Sequence, residues 1–113
     1  MAQYSAELDG VFLALADPTR RAVVHRLGQG PASVGDLARE AAMTLPSFMK
    51  HVRTLESNGL IRTTKAGRVR TCELDRERFA VVENWLEEQR RLWEAATDRL
   101  DRFVTDAEER NDV

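Results

Sequence analysis

Residues 44–56 read T-L-P-S-F-M-K-H-V-R-T-L-E, and they gather most of the side chains in this chain that can act on another molecule. Thr44 and Ser47 carry hydroxyls that both donate and accept, Lys50 and Arg53 are fixed cations, and His51 brings an imidazole. Phe48 adds an apolar ring. At helical spacing this set suits hydrogen bonding to polar edges and neutralising phosphates, with Lys50 and Arg53 as phosphate anchors. Lys65, Arg68 and Arg70 follow shortly after and extend the cationic character. The chemistry is one of grip rather than turnover. No glycine-rich phosphate loop, H-E-x-x-H pair or Ser-His-Asp set occurs in recognisable context, so no catalytic residue is expected. One cysteine, Cys72, and two histidines far apart in sequence do not make a transition-metal cluster, and no cofactor or metal site is expected.

The charge distribution points the same way. The formal net charge of −2 conceals a middle segment, residues 44–78, with eight basic and four acidic side chains. Residues 79–113 carry five basic and ten acidic ones. A basic middle fits a polyanion, and an acidic tail fits a solvated surface turned away from it. With 113 residues, 42% hydrophobic and 32% charged, the chain is expected to be a single globular domain over 1–113. A core of that size is small, and dimerisation would help to stabilise it. No apolar run approaches the ~20 residues that cross a bilayer, and the first residues do not read as a secretory signal. A cytoplasmic protein without a membrane partner is the expectation.

The elements that must position residues 44–56 follow from apolar spacing and punctuation. Leu8, Val11, Phe12 and Leu15 mark one stripe of a first helix. Asp17-Pro18 restarts the chain as a second helix, with Asp17 as its cap and Ala22, Val23, Val24 and Leu27 mostly inward, until Gly28-Gln29-Gly30-Pro31. Ser33 caps a short third helix with Asp36 in a capping-box-like position, and Val34, Leu37, Ala38 and Ala41 form its buried side. Thr44 caps the fourth, where Pro46 is tolerated in the first turn; Phe48 or Met49, then Val52 and Leu55, point inward. Asn58-Gly59 ends it. From Ile61 the period changes to two, and two β-branched runs joined by Ala66-Gly67-Arg68 predict a β-hairpin.

Asp75 then caps a long final helix, expected over 75–105, with residues 106–113 as a frayed tail. Positions 79, 82, 86, 89, 93, 96, 100 and 103 hold Phe, Val, Leu, Gln, Trp, Ala, Leu and Phe, a 3-4 alternation over three heptads. So long a stripe exceeds what a small body covers, which implies a second copy of the chain. Leu8, Phe12, Leu86, Trp93, Ala96, Leu100 and Phe103 are the expected homodimer interface. The carboxylates Glu83, Glu87, Glu88 and Glu94 read as a solvated face.

The predicted architecture is mainly α with a two-stranded β-hairpin: four helices, the hairpin, and a final helix. Two short helices, a tight turn and a basic hairpin match the winged helix-turn-helix arrangement, in which the second helix enters the major groove of double-stranded DNA. Thr44, Ser47, Phe48, Lys50, His51 and Arg53, with Lys65, Arg68 and Arg70 of the wing, are the candidate DNA contacts.

The runs L-A-D-P-T-R-R (15–21), G-D-L-A (35–38), K-H-V-R-T-L-E-S-N-G-L-I (50–61) and A-G-R-V-R-T-C-E-L (66–74) resemble ArsR-type winged-helix repressors over about residues 8–104. The resemblance implies a homodimer, built on the first and last helices, that represses at an imperfect palindrome and lets go when an effector binds. W-L-E-E-Q-R-R-L-W (85–93) resembles a branch with aromatic-rich final helices. Two departures bear on the signal. Metal-sensing members carry a Cys-x-Cys pair where this chain has Ser33-Val34-Gly35-Asp36-Leu37, and others place histidines on a final helix that has none here. The implied regulator is metal-independent, with an unidentified small-molecule effector. Two alternatives stay open: a winged-helix module that docks a protein partner, and a repressor switched by oxidation of Cys72.

Overall fold

The computed structural model describes residues 2–111. Eight elements follow one another: α1 (Ala2–Leu15), α2 (Pro18–Leu27), β1 (Ala32–Ser33), α3 (Val34–Glu40), α4 (Leu45–Ser57), β2 (Ile61–Ala66), β3 (Val69–Leu74) and α5 (Arg76–Asn111). The chain divides into two compact units, through Val82 and from Glu83 onward, so α5 begins in one and continues as the other. None of the described helices is long and apolar enough to cross a membrane.

The caps read from sequence are the caps observed. Asp17 accepts from the Arg20 amide at 3.1 Å, Ser33 Oγ from the Asp36 amide at 3.1 Å, and Thr44 Oγ1 from the Ser47 amide at 3.4 Å. Each satisfies a first-turn N–H that has no partner within its helix. Pro18 and Pro46 sit in the first turns of α2 and α4, where a missing N–H costs nothing. Asp75 Oδ1 likewise accepts from the Glu77 amide at the start of α5.

Two helix ends use the left-handed backbone. At the end of α4, Gly59 has φ +78°, and the Leu60 and Gly59 amides donate to the carbonyls of Leu55 and Glu56. This double bond is the Schellman closure, and it turns Leu60 straight into the core. At the end of α3 the same pattern recurs with Ala42 at φ +54°, the Met43 amide reaching Ala38 and the Ala42 amide reaching Arg39. Alanine in that region carries a steric penalty that glycine would not. The tight turn between α3 and α4 therefore holds some strain.

The sheet has three strands in the order β1-β3-β2, all antiparallel, where the sequence predicts two. The added strand is only Ala32 and Ser33, paired with Cys72 and Thr71. Two residues show no alternation, and Pro31 before them reads as a loop, which explains why it is hidden in the sequence. The hairpin itself pairs Ala66 with Val69, leaving Gly67-Arg68 as a two-residue loop. Gly67 has φ +63° and Arg68 does not share the sign, the pattern of a type II′ turn.

One core joins the helices and the sheet in the first unit. Val11 and Ala14 of α1, Val23 and Leu27 of α2, Leu37 of α3, Phe48, Val52 and Leu55 of α4, and Ile61 and Cys72 of the sheet are all buried. Phe79 and Val82, from the first turns of α5, pack against this cluster. Ala22, expected inward, is instead exposed on α2. In the second unit α5 continues as helix to Asn111, past Thr105 where the tail is expected to begin fraying; residues 112–113 lie outside the described residues.

Candidate nucleic-acid interface

The fold gives α4 two faces. Phe48, Val52 and Leu55 lie along its buried side, while Thr44, Ser47, Lys50 and Arg53 are exposed. Phe48 is 0% exposed, so its ring is a core residue and not a contact for a base; this corrects the sequence reading. Its place in the 48-52-55 row, at steps of four and three, is the signal that favours the core.

His51 is also turned toward its own domain. Arg20, on α2, uses all of its guanidinium nitrogens inward: Nε donates to the Ala14 carbonyl at 2.7 Å, one terminal nitrogen donates to the Leu13 carbonyl at 3.1 Å, and the other meets His51 Nδ1 at 3.2 Å. Asp17 Oδ2 lies 3.8 Å from the same Nδ1. The hydrogen bond from the Arg20 amide at the helix cap holds the Asp17 carboxyl below its usual range; desolvation opposes it, and the nearby His51, the Arg20 charge and the Thr19 amide add to the lowering. The group ties the end of α1, the start of α2 and the middle of α4 together. Sequence reasoning missed Arg20 and Asp17 as partners of His51, since 31 residues separate Arg20 from His51.

The wing divides similarly. Lys65 and Arg68 are exposed, Arg68 at the tip of the β2-β3 loop. Arg70 is half-buried, and its guanidinium donates to Thr63 Oγ1 across the hairpin at 3.0 Å. Thr63 donates from both its amide and its hydroxyl to Glu56 Oε2, at 3.2 and 2.5 Å. A line of hydrogen bonds thus runs from the last turn of α4 through β2 to β3, and it sets the wing's position against the helix. Glu56 and Thr63 had no distinguishing spacing in the sequence.

Between the start of α3, the first turn of α4 and the wing lies an open cleft of about 340 Å³. Leu45, Met49 and Val69 supply its apolar lining, and Lys65, Arg68 and Arg70 its charge. Among the described residues no carboxylate lines it. The face is cationic and hydroxyl-bearing, and its exposed apolar residues are Leu45 at the N-terminus of α4 and Val69 on the wing.

Cys72 is 0% exposed, on the central strand of the sheet. Burial first, and then the Glu56 carboxylate, push its thiol up to about 11, against the pull of Arg70. A buried, protonated thiol is inert, which speaks against the oxidation switch. Among the described residues no group of three or more His, Cys, Asp or Glu side chains is placed to hold a metal ion.

The expected pairing residues also sort into two kinds. Leu8 is buried within its own chain, which removes it as an interface residue. Phe12, Leu86, Trp93, Ala96, Leu100 and Phe103 are exposed, with Trp93 and Leu100 each at 61% and Phe103 at 69%. Leu92 and Val104 add to the apolar surface of α5.

Known proteins share this arrangement. Residues 15–64 match the family model described as a helix-turn-helix domain. The HTH-type transcriptional regulator Rv2034 of Mycobacterium tuberculosis is 38% identical over 88 residues, covering 78% of this chain and 79% of that protein. A crystal structure of an ArsR family transcriptional regulator is 60% identical, with a TM-score of 0.75, covering 78% of this chain and 97% of that one. The solution structure of a homodimeric winged helix-turn-helix DNA-binding domain from Mycobacterium bovis, a possible ArsR-family regulator by its description, is 24% identical with a TM-score of 0.64, covering 77% of this chain and 84% of that one.

Proposed function

The chain belongs to the ArsR family of winged helix-turn-helix transcriptional regulators, and on that premise we propose that it works as a homodimer on a palindromic operator, independently of metal. The observation that carries the reading is the division of α4. Its core face is complete within the chain, and its other face presents Thr44, Ser47, Lys50 and Arg53 beside Lys65 and Arg68 of the wing. Hydroxyls and the N-terminal amides of α4 meet phosphates and base edges, and the cations neutralise backbone charge. His51 and Arg70 act one step behind, holding the helix and the wing in place.

Pairing is supported by the apolar surface of α5. Leu86, Trp93, Leu100 and Phe103 recur at steps of seven, seven and three, the seam that a second copy would cover. The M. bovis domain of the same fold is described as homodimeric, which agrees with this reading. Two heads related by a twofold axis read two half-sites about one helical turn, ~34–36 Å, apart. A dimer so placed represses by occupying promoter DNA, and it does so in the cytoplasm where that DNA lies. Metal independence is supported by the lack of cysteine in the stretch Ser33-Val34-Gly35-Asp36-Leu37, and by a final helix without histidine.

The test is fluorescence anisotropy with a labelled duplex from the promoter of its own gene. Binding should weaken steeply with salt, and Lys50→Ala should lower the slope of log K against log salt by about one. Salt-independent binding, or none, would reject the reading. A Lys50→Ala, Arg53→Ala, Arg68→Ala triple variant with unchanged DNA affinity would favour a protein-docking module instead.

A further inference from the structure

Leu45 is the first residue of α4, and it is 51% exposed although it is large and apolar. It lies on one helical row with Met49 and Val52, at steps of four and three, and along that row exposure falls from Leu45 through a half-buried Met49 to a buried Val52. The row therefore leaves the core at its N-terminal end, and Leu45 projects past the core's edge into the cleft beside the wing. Thr44 on one side of it caps the helix and Ser47 stands in the same first turn, both exposed. Lys65, Arg68 and Arg70 line the same cleft with no carboxylate among them. An apolar spot framed by cations calls for a partner that is anionic around its margin and apolar at one point.

We propose that Leu45 is the apolar base reader of this protein, seated on the C5-methyl group of a thymine in each half-site. The inference rests on the operator reading above and specifies what it leaves open. The major-groove edges of the four base pairs present acceptors, donors and a single apolar group, the thymine methyl. Leucine has no hydrogen-bonding group, so at the mouth of the groove that methyl is the only feature it can select. Cytosine offers a C5–H in its place and leaves the leucine uncovered. Phe48, which sequence alone offers for this contact, is sealed in the core, while Leu45 is one turn nearer the helix start, where base edges are met. Lys65 and Arg68 flank the spot and suit the phosphates on either side of the read base.

The experiment uses the full chain and an operator duplex recovered by selection from a random-sequence library. Each thymine is replaced in turn by uracil, which removes only the methyl. One thymine per half-site should show about a fourfold loss of affinity, the factor carried by burying one methyl-sized group. Leu45→Ala should bind the parent duplex more weakly and lose nothing further on that uracil replacement. Leu45→Gln, whose amide can bond an adenine edge bidentately, should shift the selected base at the same position toward adenine. Leu45 is exposed, so both variants should keep the parent melting temperature. An equal uracil penalty in the parent and in Leu45→Ala, or no uracil-sensitive thymine, would overturn the inference while leaving the operator reading standing. Failure to recover any bound duplex would overturn both.

Discussion

α4 and the part of α5 beyond Val82 both carry an apolar stripe at helical spacing, but their burial is opposite. In α4 the stripe residues Phe48, Val52 and Leu55 are 0%, 1% and 0% exposed, while Leu86, Trp93, Leu100 and Phe103 of α5 are all exposed. The first helix spends its apolar residues on the chain's own core and frees its other face for charge and hydroxyls. The second keeps its apolar residues at the surface, at a spacing suited to another helix. An exposed patch of that kind marks an interaction site more often than a solvated face. The stripe of α4 is complete within one chain, whereas that of α5 is left exposed, incomplete on the proposed reading until a second copy covers it.

The largest effect should come from opening the complete part. Phe48→Ala should cost about 3–5 kcal/mol in urea unfolding, as expected for truncating a sealed core aromatic. A cost below ~1 kcal/mol would place Phe48 outside the core and remove the contrast. In the incomplete part, Trp93→Ala with Leu100→Ala should shift sedimentation from dimer to monomer while helical circular dichroism is retained. Operator affinity should then fall by about 100-fold or more, because the second half-site loses its tether.

Cys72 tests the sealing from another side. Its thiol rises from 9.0 to about 11, so the unfolded chain ionises first as pH increases. The stability that depends on the neutral thiol is complete below pH 9 and is lost as pH rises through about 11, an effect of order 2 kcal/mol. Cys72→Ala should flatten that alkaline limb. At neutral pH the native thiol should not react with Ellman's reagent, whereas the urea-unfolded chain should react at once. Smallest of all, Ala42→Gly should stabilise the chain by about 1 kcal/mol in the same unfolding measurement, by relieving the left-handed turn before α4.

Local features were legible in the sequence. Asp17, Ser33 and Thr44 cap because their oxygens reach an amide three residues on, a relation that spacing alone reveals. The hairpin and the long final helix are legible for the same reason, since period and length are local. What was hidden depends on packing. Phe48 and Met49 both fit an inward position; the 48-52-55 row favours Phe48, and the assembled core seals it while leaving Met49 half-buried at its edge. β1 exists because β3 is there to pair with it. The Arg20–His51 link and the Glu56–Thr63–Arg70 line join residues with no common spacing, and they recast His51 and Arg70 as supports for the surface. Leu45 was passed over because an apolar residue in line with Val52 reads as core until the row is seen to leave it.

Sedimentation velocity of the unmodified protein, alone and with a stoichiometric operator duplex, tests the central claim most directly. A species of twice the chain's mass is expected for the protein alone, and two chains plus one duplex for the complex. A monomer that binds the duplex one chain at a time, without change when Trp93 and Leu100 are replaced, would contradict it.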